Sequence, residues 1–467
     1  MATSVTAIPQ AGSYELDAAT LYDINGGATD IKNLIVEFNI YESMFQPFVT
    51  GNLIINDATN LLNSLPIVGQ EELELKFRTR GAEKPESMVD FSLHRLRVVG
   101  VKDRLQTKDK VILYRLELAS KESMKNVQMR LSKAYEDTPS EIVKKILKNE
   151  LKTKKKVFVE PTRDNRKYVV PNLYPFKAIQ TLAKTSTSKE TGQNRYVFYE
   201  NADGFHFRTI QSHFTDANGD PVQPVQFFRY FPATFDSGIA AQHQNISELK
   251  VNNNQDQLKR SIEGAYASKQ FIHDITKKEV RQVNYNHFED FRKNEHLENI
   301  SASGPVYSRT AEDEFDNTLN DFSDNRIIVS GKSSYLHSRD DTDLQDYMPE
   351  VNKIPSVRAI AYNNRTVNIE FIAPGISDFR VGDVVDIFIP KNRPLRESEK
   401  TRTDQQDKYL SGRYLITSLR HFISVGNAKY NCVFGCTKDN VLEAYPENSK
   451  DRFKDYPSEV NSDIVEI

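Results

Sequence analysis

The chain contains no tryptophan and only two cysteines, carries almost no net charge, and has no apolar run near the ~20 residues that would cross a bilayer as a helix. Each absence narrows the reading. Cys432 and Cys436 lie four apart in a stretch patterned as a strand, too few for a disulfide framework and without a second ligand pair for zinc. They read as buried small hydrophobes. The 62 Lys and Arg against 65 Asp and Glu leave a formal charge of −3, which removes the bulk positive field used to bind nucleic acid or anionic membranes. Met1 to Ala11 has neither a basic n-region nor an apolar h-region, so the expectation is a cytosolically made chain with no membrane insertion. No glycine-rich phosphate loop occurs, and nucleotide use is not expected.

What is present points to strands. The 467 residues exceed one domain, and 26 Phe and 21 Tyr favour many half-buried strands over an all-helical chain. From Ile31 to Ala119 the apolar period is close to two, most clearly where Leu73, Leu75 and Phe77 alternate with Glu74, Lys76 and Arg78. At Thr138 the pattern changes. Thr138-Pro139-Ser140-Glu141 reads as a capped helix start, followed by Ile142, Val143, Ile146, Leu147 and Leu151 on one stripe. A second helix is expected from Pro175, with Phe176, Ile179, Leu182 and Ala183 inward, and a hairpin around Asn201-Ala202-Asp203-Gly204. Between about residues 252 and 352 apolar density falls and acids gather, as in an inserted peripheral or partly flexible segment.

Two distant segments share an order of features. Ile67-Val68-Gly69-Gln70 leads into one strand, then a strand pair, then Ser120-Lys121-Glu122; Arg380-Val381-Gly382-Asp383 leads into the same succession, ending at Thr437-Lys438-Asp439. Two unrelated β meanders would show glycine turns too, but the matched order and spacing favour a repeat. If both copies fold alike, a symmetric trimer offers six equivalent units around a ring.

Ile35 to Glu42 with Thr50 to Ile55, the Ile67-Val68-Gly69 turn, the Thr138-Pro139 helix and Leu410 to Ile416 together resemble the baseplate central hub proteins of contractile-tailed phages. The hub portion of type VI secretion spike proteins has the same fold. The resemblance runs over roughly Thr29 to Val441 and rests on strand texture and turns, not on a catalytic signature. It implies a β-dominated multidomain (α+β) chain: an N-terminal extension (1–28), a first tube-like β-barrel (29–123) and an α/β domain (124–214). A second, related barrel would come from 215–251 and 356–441, with an inserted polar domain (252–355) and a C-terminal tail (442–467). It also implies a homotrimer, sited in the virion tail baseplate and assembled in the host cytoplasm. Its partners would be a central spike protein and tail tube or tube-initiator proteins, with tape measure and baseplate wedge proteins as further candidates.

Chemistry is not expected. His287 and His296 share a stretch with Glu289, Asp290, Glu295 and Glu298, but no pair of imidazoles has metal-ligand spacing, and His421 after Arg420 reads as structural. Neither a metal nor a cofactor is implied, and 65 acids select no catalytic pair. Sequons begin at Asn245, Asn299 and Asn364, and with no signal peptide expected they mark nothing.

Candidate assembly residues are the polar strand face Glu74, Lys76 and Arg78, and the lysines Lys144, Lys148 and Lys152. The bland reading of those lysines is a solvated helix face; the sharper one is docking to an acidic partner, and nucleic-acid sequence recognition is not expected. The function expected is therefore architectural and not enzymatic. The alternatives are a cell-wall carbohydrate-binding or degrading tail protein, against which the missing tryptophan counts, and the hub of a type VI spike.

Overall fold

A computed structural model describes residues 10–59, 61–65, 67–81, 87–106, 111–163, 165–216, 219–230, 239–254, 257–274, 278–287, 295–298, 322–332, 354–363, 367–392 and 401–440. The expected tail (442–467) and much of the expected insert lie outside them.

Strands dominate. The first part of the chain forms β1 (Tyr14–Tyr22), β2 (Ala28–Asp30), β3 (Ile35–Ser43), β4 (Thr50–Asp57), β5 (Glu72–Thr79), β6 (Met88–Asp90), β7 (Leu96–Gln106) and β8 (Ile112–Ser120). A small lobe follows with β9 (Ala134–Asp137), β10 (Lys156–Val159), β11 (Arg166–Val169), β12 (Tyr196–Asn201) and β13 (Gly204–Thr209). After it come β14 (Gln226–Arg229), β15 (Glu248–Asn254), β16 (Ala267–Asp274), β17 (Glu279–Asn286) and β18 (Ile327–Lys332). The last four are β19 (Val367–Pro374), β20 (Val384–Phe388), β21 (Gly412–Ser424) and β22 (Lys429–Lys438).

Fourteen strands make one sheet in the order β15-β19-β22-β21-β3-β4-β8-β7-β5-β1-β2, with β20 on β21 carrying β14, and β6 on β5. The two expected tube-like barrels do not appear as closed units. Among the described residues no barrel closes, because β3 pairs with β4 on one edge and with β21 on the other, which fuses the two halves. The N-terminal stretch expected as an extension also differs: β1 pairs with β5 along most of its length, its backbone satisfying an edge that side-chain patterning does not announce.

Burial follows the period of two. Along β5, Leu73, Leu75 and Phe77 are fully buried and the residues between them are not. Phe77 meets the rings of Phe38, His421 and Tyr430 at 5.3, 5.8 and 5.9 Å, so one apolar core serves both halves of the sheet. Cys432 and Cys436 lie in it as free, buried thiols.

The lobe has its own core. Thr138 caps the helix Pro139–Lys145 by accepting from the Glu141 N–H at 3.4 Å, and Ile142, Val143, Ile146, Leu147 and Leu151 are all buried. The last turn widens, with the Leu151 N–H reaching the Ile146 carbonyl at 3.0 Å. The helix Pro175–Thr185 buries Phe176, Ile179, Leu182 and Ala183, and β12 and β13 form the expected hairpin. Gly204 closes that hairpin at φ 145°, where a Cβ would sit 2.3 Å from the Lys156 carbonyl oxygen. Gly204→Ala should therefore cost at least about 2 kcal/mol of stability, read as a lowered urea midpoint; an unchanged midpoint would contradict this packing.

Candidate functional site

The sheet is built from one motif used twice. In the first copy β3 pairs β4, β4 pairs β8, β8 pairs β7 and β7 pairs β5, all antiparallel. In the second, β15 pairs β19, β19 pairs β22, β22 pairs β21 and β21 pairs β20, again all antiparallel. The register agrees in detail. A bulge falls between Val98 and Gly100 on β7, and its counterpart falls between Ile416 and Ser418 on β21. Ala119 stands against Thr50 and Arg97 as Thr437 stands against Asn368 and Leu415. Ser120 and Thr437, matched in the sequence, therefore stand one residue out of register. The turns before β5 and β20 match as read, with Gly69 at φ 88° and Gly382 at φ 103°.

Where the copies meet, β21 runs antiparallel to β3 from Ser418↔Ser43 to Ser424↔Glu37. On the polar face of this junction Arg420 lies 5.7 Å from the Tyr41 ring and 5.1 Å from the Phe422 ring and donates from Nε to Asn39 Oδ1 at 2.7 Å. Asn39 donates in turn to Asn52 and Glu37, and Asn52 to the Tyr41 hydroxyl.

Ion pairs brace the junction from the other side. Glu42 at the end of β3 is buried and accepts from the N–H groups of Ala202 in the lobe at 2.8 Å and Val381 in the second copy at 3.2 Å. Arg380 donates to Asp203 at 3.1 Å and to the carbonyls of Ser377, Phe379 and Met88. Burial raises the Glu42 carboxyl to about 7 against the pull of Arg380, and burial raises Asp383 to about 6. Nearby, Lys155 sits between Glu122 at 2.9 Å and Glu200, and Glu200 accepts the Val49 N–H at 3.0 Å. Burial alone would discharge Lys155; the two carboxylates outweigh it and hold the ammonium charged.

Glu42 gives a pH signature. The folded chain keeps its proton up to about 7, whereas an ordinary carboxyl releases it near 4.5, so its contribution is full below 4.5 and lost as pH rises through 7. Glu42→Gln should remove that loss, gaining on the order of 3 kcal/mol relative to wild type between pH 4.5 and pH 8 in a series of unfolding curves. Parallel pH profiles for the two proteins would contradict it.

The copies differ at their outer edges. Past Ile416, β21 leaves β20 and takes up β3, whereas β7 pairs β5 only at Leu96 and Arg97 and pairs nothing in this chain along that edge from Gly100 to Gln106 among the described residues. Its far half is exposed, Leu105 included. The outer edge of β15, the counterpart of β3, is unpaired in the same sense, and Val251 lies exposed on it. Neither edge was singled out from sequence. The signal existed in the repeat, because a strand that serves two partners in one copy implies a second partner in the other.

The residues expected at an interface do not lie on these two edges. Glu74, Lys76 and Arg78 share a strand face but are engaged within the chain: the Tyr22 hydroxyl donates to Glu74, Lys76 pairs with Asp90 at 3.1 Å, and Arg78 pairs with Glu15 at 2.9 Å and Asp17 at 3.5 Å. Lys144 pairs with Glu141 at 2.6 Å, while Lys148 and Lys152 are exposed on the lobe. The two groups lie on separate units, the large sheet and the lobe. Of the histidines, His296 Nδ1 lies 2.6 Å from Asp439, His287 Nδ1 3.1 Å from the Tyr285 hydroxyl, and His421 Nδ1 2.7 Å from the Tyr430 hydroxyl. No cluster of metal-ligating side chains occurs among the described residues.

No family model matches the chain, and no curated protein does. Solved structures do. The 43 kDa tail protein of prophage MuSo2 from Shewanella oneidensis aligns at TM-score 0.49 and 11% identity over 91% of this chain and 99% of its own. The E. coli c3393 protein, described as a type VI secretion component similar to the T4 tail proteins gp27 and gp5, aligns at 0.39 and 10% over 92% and 78%. The tail protein from Neisseria meningitidis MC58 aligns at TM-score 0.51 and 10% identity over 91% of this chain and 97% of its own. The chain shares the fold of that tail protein, and the resemblance to baseplate hub proteins read from its residues holds at the level of the fold.

Proposed function

We propose that this chain is the structural hub of a phage tail baseplate, a homotrimeric ring of pseudo-sixfold symmetry that joins a trimeric central spike to a hexameric tail tube. The observation that carries the reading is the pair of open edges. Within the chain, strand β3 of the first copy joins strand β21 of the second; the same junction repeated between chains would join β15 of one to β7 of the next. Such a head-to-tail contact closes into a ring if its rotation allows, and three chains of two copies give six units. The repeat specifies the new register: Val101 would oppose Asn254, Lys102 oppose Asn253, and Gln106 oppose Leu249. Open edges otherwise invite uncontrolled pairing, and a closed ring removes them.

The polar junction face around Asn39, Arg420 and Tyr41 would then line the channel, and the tubelike units would be completed only in the ring. A sixfold end suits tube proteins and a threefold end suits the spike. The role is architectural, without catalysis, and the place is the virion tail. Electron-microscope class averages of the purified protein test it. Rings with six similar lobes support the hub; isolated single particles, or release of soluble fragments from purified cell wall, would overturn it in favour of the degrading tail protein.

A further inference from the structure

The two copies also differ in what covers their glycine turns. In the second copy Val381 is 2% exposed, and a Cβ on Gly382 would lie 2.6 Å from His213 and 2.8 Å from the Tyr199 hydroxyl. Val381 donates its N–H to Glu42 at the end of β3, so this turn is roofed where the neighbouring copy's first strand ends. The matching turn of the first copy is equally rigid, since Glu71 accepts the N–H groups of Val68, Gly69 and Gln70 at 2.7, 2.9 and 3.0 Å. Yet it is bare, and Val68 at its tip is 62% exposed.

Registers identify what should stand over it. Glu42 corresponds to Asn254, because Asn254 faces Val367 just as Glu42 continues the β3 ladder past Tyr41↔Thr50. In the ring proposed above, on which this inference rests, that Asn254 belongs to the adjacent chain. Three residues on, the helix Gln257–Glu263 begins. It exposes Leu258 at 75% and Ile262 at 58%, four apart and hence on one face. Four residues reach at most about 14 Å, enough to bring Leu258 from the strand end onto the turn.

We propose that Leu258 and Ile262 of each chain cap the Val68 turn of the next, a second contact between copies of this chain beside the strand junction. It is continuous with that junction, apolar on both sides, and mirrors the roof that the lobe supplies within the chain. The inserted segment thereby acts as a clasp on the neighbour.

The test uses the full-length chain with Val68→Cys and Leu258→Cys together. Cys432 and Cys436 are buried, burial pushes the Cys432 thiol up to about 12, and neither competes. Mild oxidation should give covalent dimers and trimers on a non-reducing gel from the double variant and none from either single variant. Val68→Cys alone should react with a maleimide at least tenfold more slowly in the trimer fraction than in dilute monomer, and Val68→Lys should weaken assembly about tenfold. A trimer by light scattering in which Val68→Cys reacts as fast as in the monomer and forms no cross-link would overturn the clasp and leave the ring standing. A chain monomeric at every concentration would overturn the ring and the clasp together.

Discussion

Val101→Pro should leave the monomer folded and abolish the ring. Val101 is the counterpart of Leu419, which faces Glu42 of β3 in a ladder whose adjoining step is fixed by the Met44 N–H bonding the Thr417 carbonyl. Backbone groups alternate between neighbours along an antiparallel strand, so Leu419 turns its N–H toward β3 and Val101 turns its own toward the open edge. Proline there removes no bond to β8 and is tolerated as it is on edge strands generally. Placed inside a junction between chains, it removes a ladder bond and adds a clash of about 3 kcal/mol, over a hundredfold per contact. The mass by light scattering should fall from three times 53.5 kDa to 53.5 kDa with unchanged circular dichroism. A Val101→Pro trimer would place the interface elsewhere.

Lys155→Met should be the most damaging single change to stability. Lys155, Glu122 and Glu200 have side chains no more than 6% exposed, and the substitution strands two buried carboxylates beside each other. Removing one partner of such a group costs about 3–5 kcal/mol, whereas the exposed pair of Lys144 with Glu141 contributes ~0.5 kcal/mol or less. Because Glu200 also holds the Val49 backbone, the lobe should loosen from the sheet as the charge is lost. Urea unfolding compares Lys155→Met with Lys144→Met. The first should lose several kcal/mol and recover much of it when Glu122→Gln and Glu200→Gln are added; equal, small losses would contradict the buried charge network.

The contrast between those lysines shows what a sequence conveys and what it hides. Lys155 stands between Lys154 and Lys156, only three residues beyond Lys152, and nothing local sets it apart; only the return of β12 brings Glu200 beneath it. Strand faces such as Leu73-Leu75-Phe77 and the Thr138 helix were legible because each is a local period of two or of 3.6. The glycine turns were legible because a left-handed conformation selects the residue. Tyr14 to Tyr22 was not, since its place depends on β5 offering a backbone edge, and Glu15 and Asp17 there take up Arg78, a residue that looked free to meet a partner. The junction of β3 with β21 spans most of the chain, and no local pattern encodes such a pairing. The open edges follow from it only once the two copies are set in register.

In the ring, the open edges of β7 and β15 join between chains. Light scattering of the wild-type protein across a concentration series, alone and beside a coexpressed tail-tube or spike partner, tests it most directly. A stable mass near three times 53.5 kDa is expected. A strict monomer in both conditions would leave both edges open and contradict it.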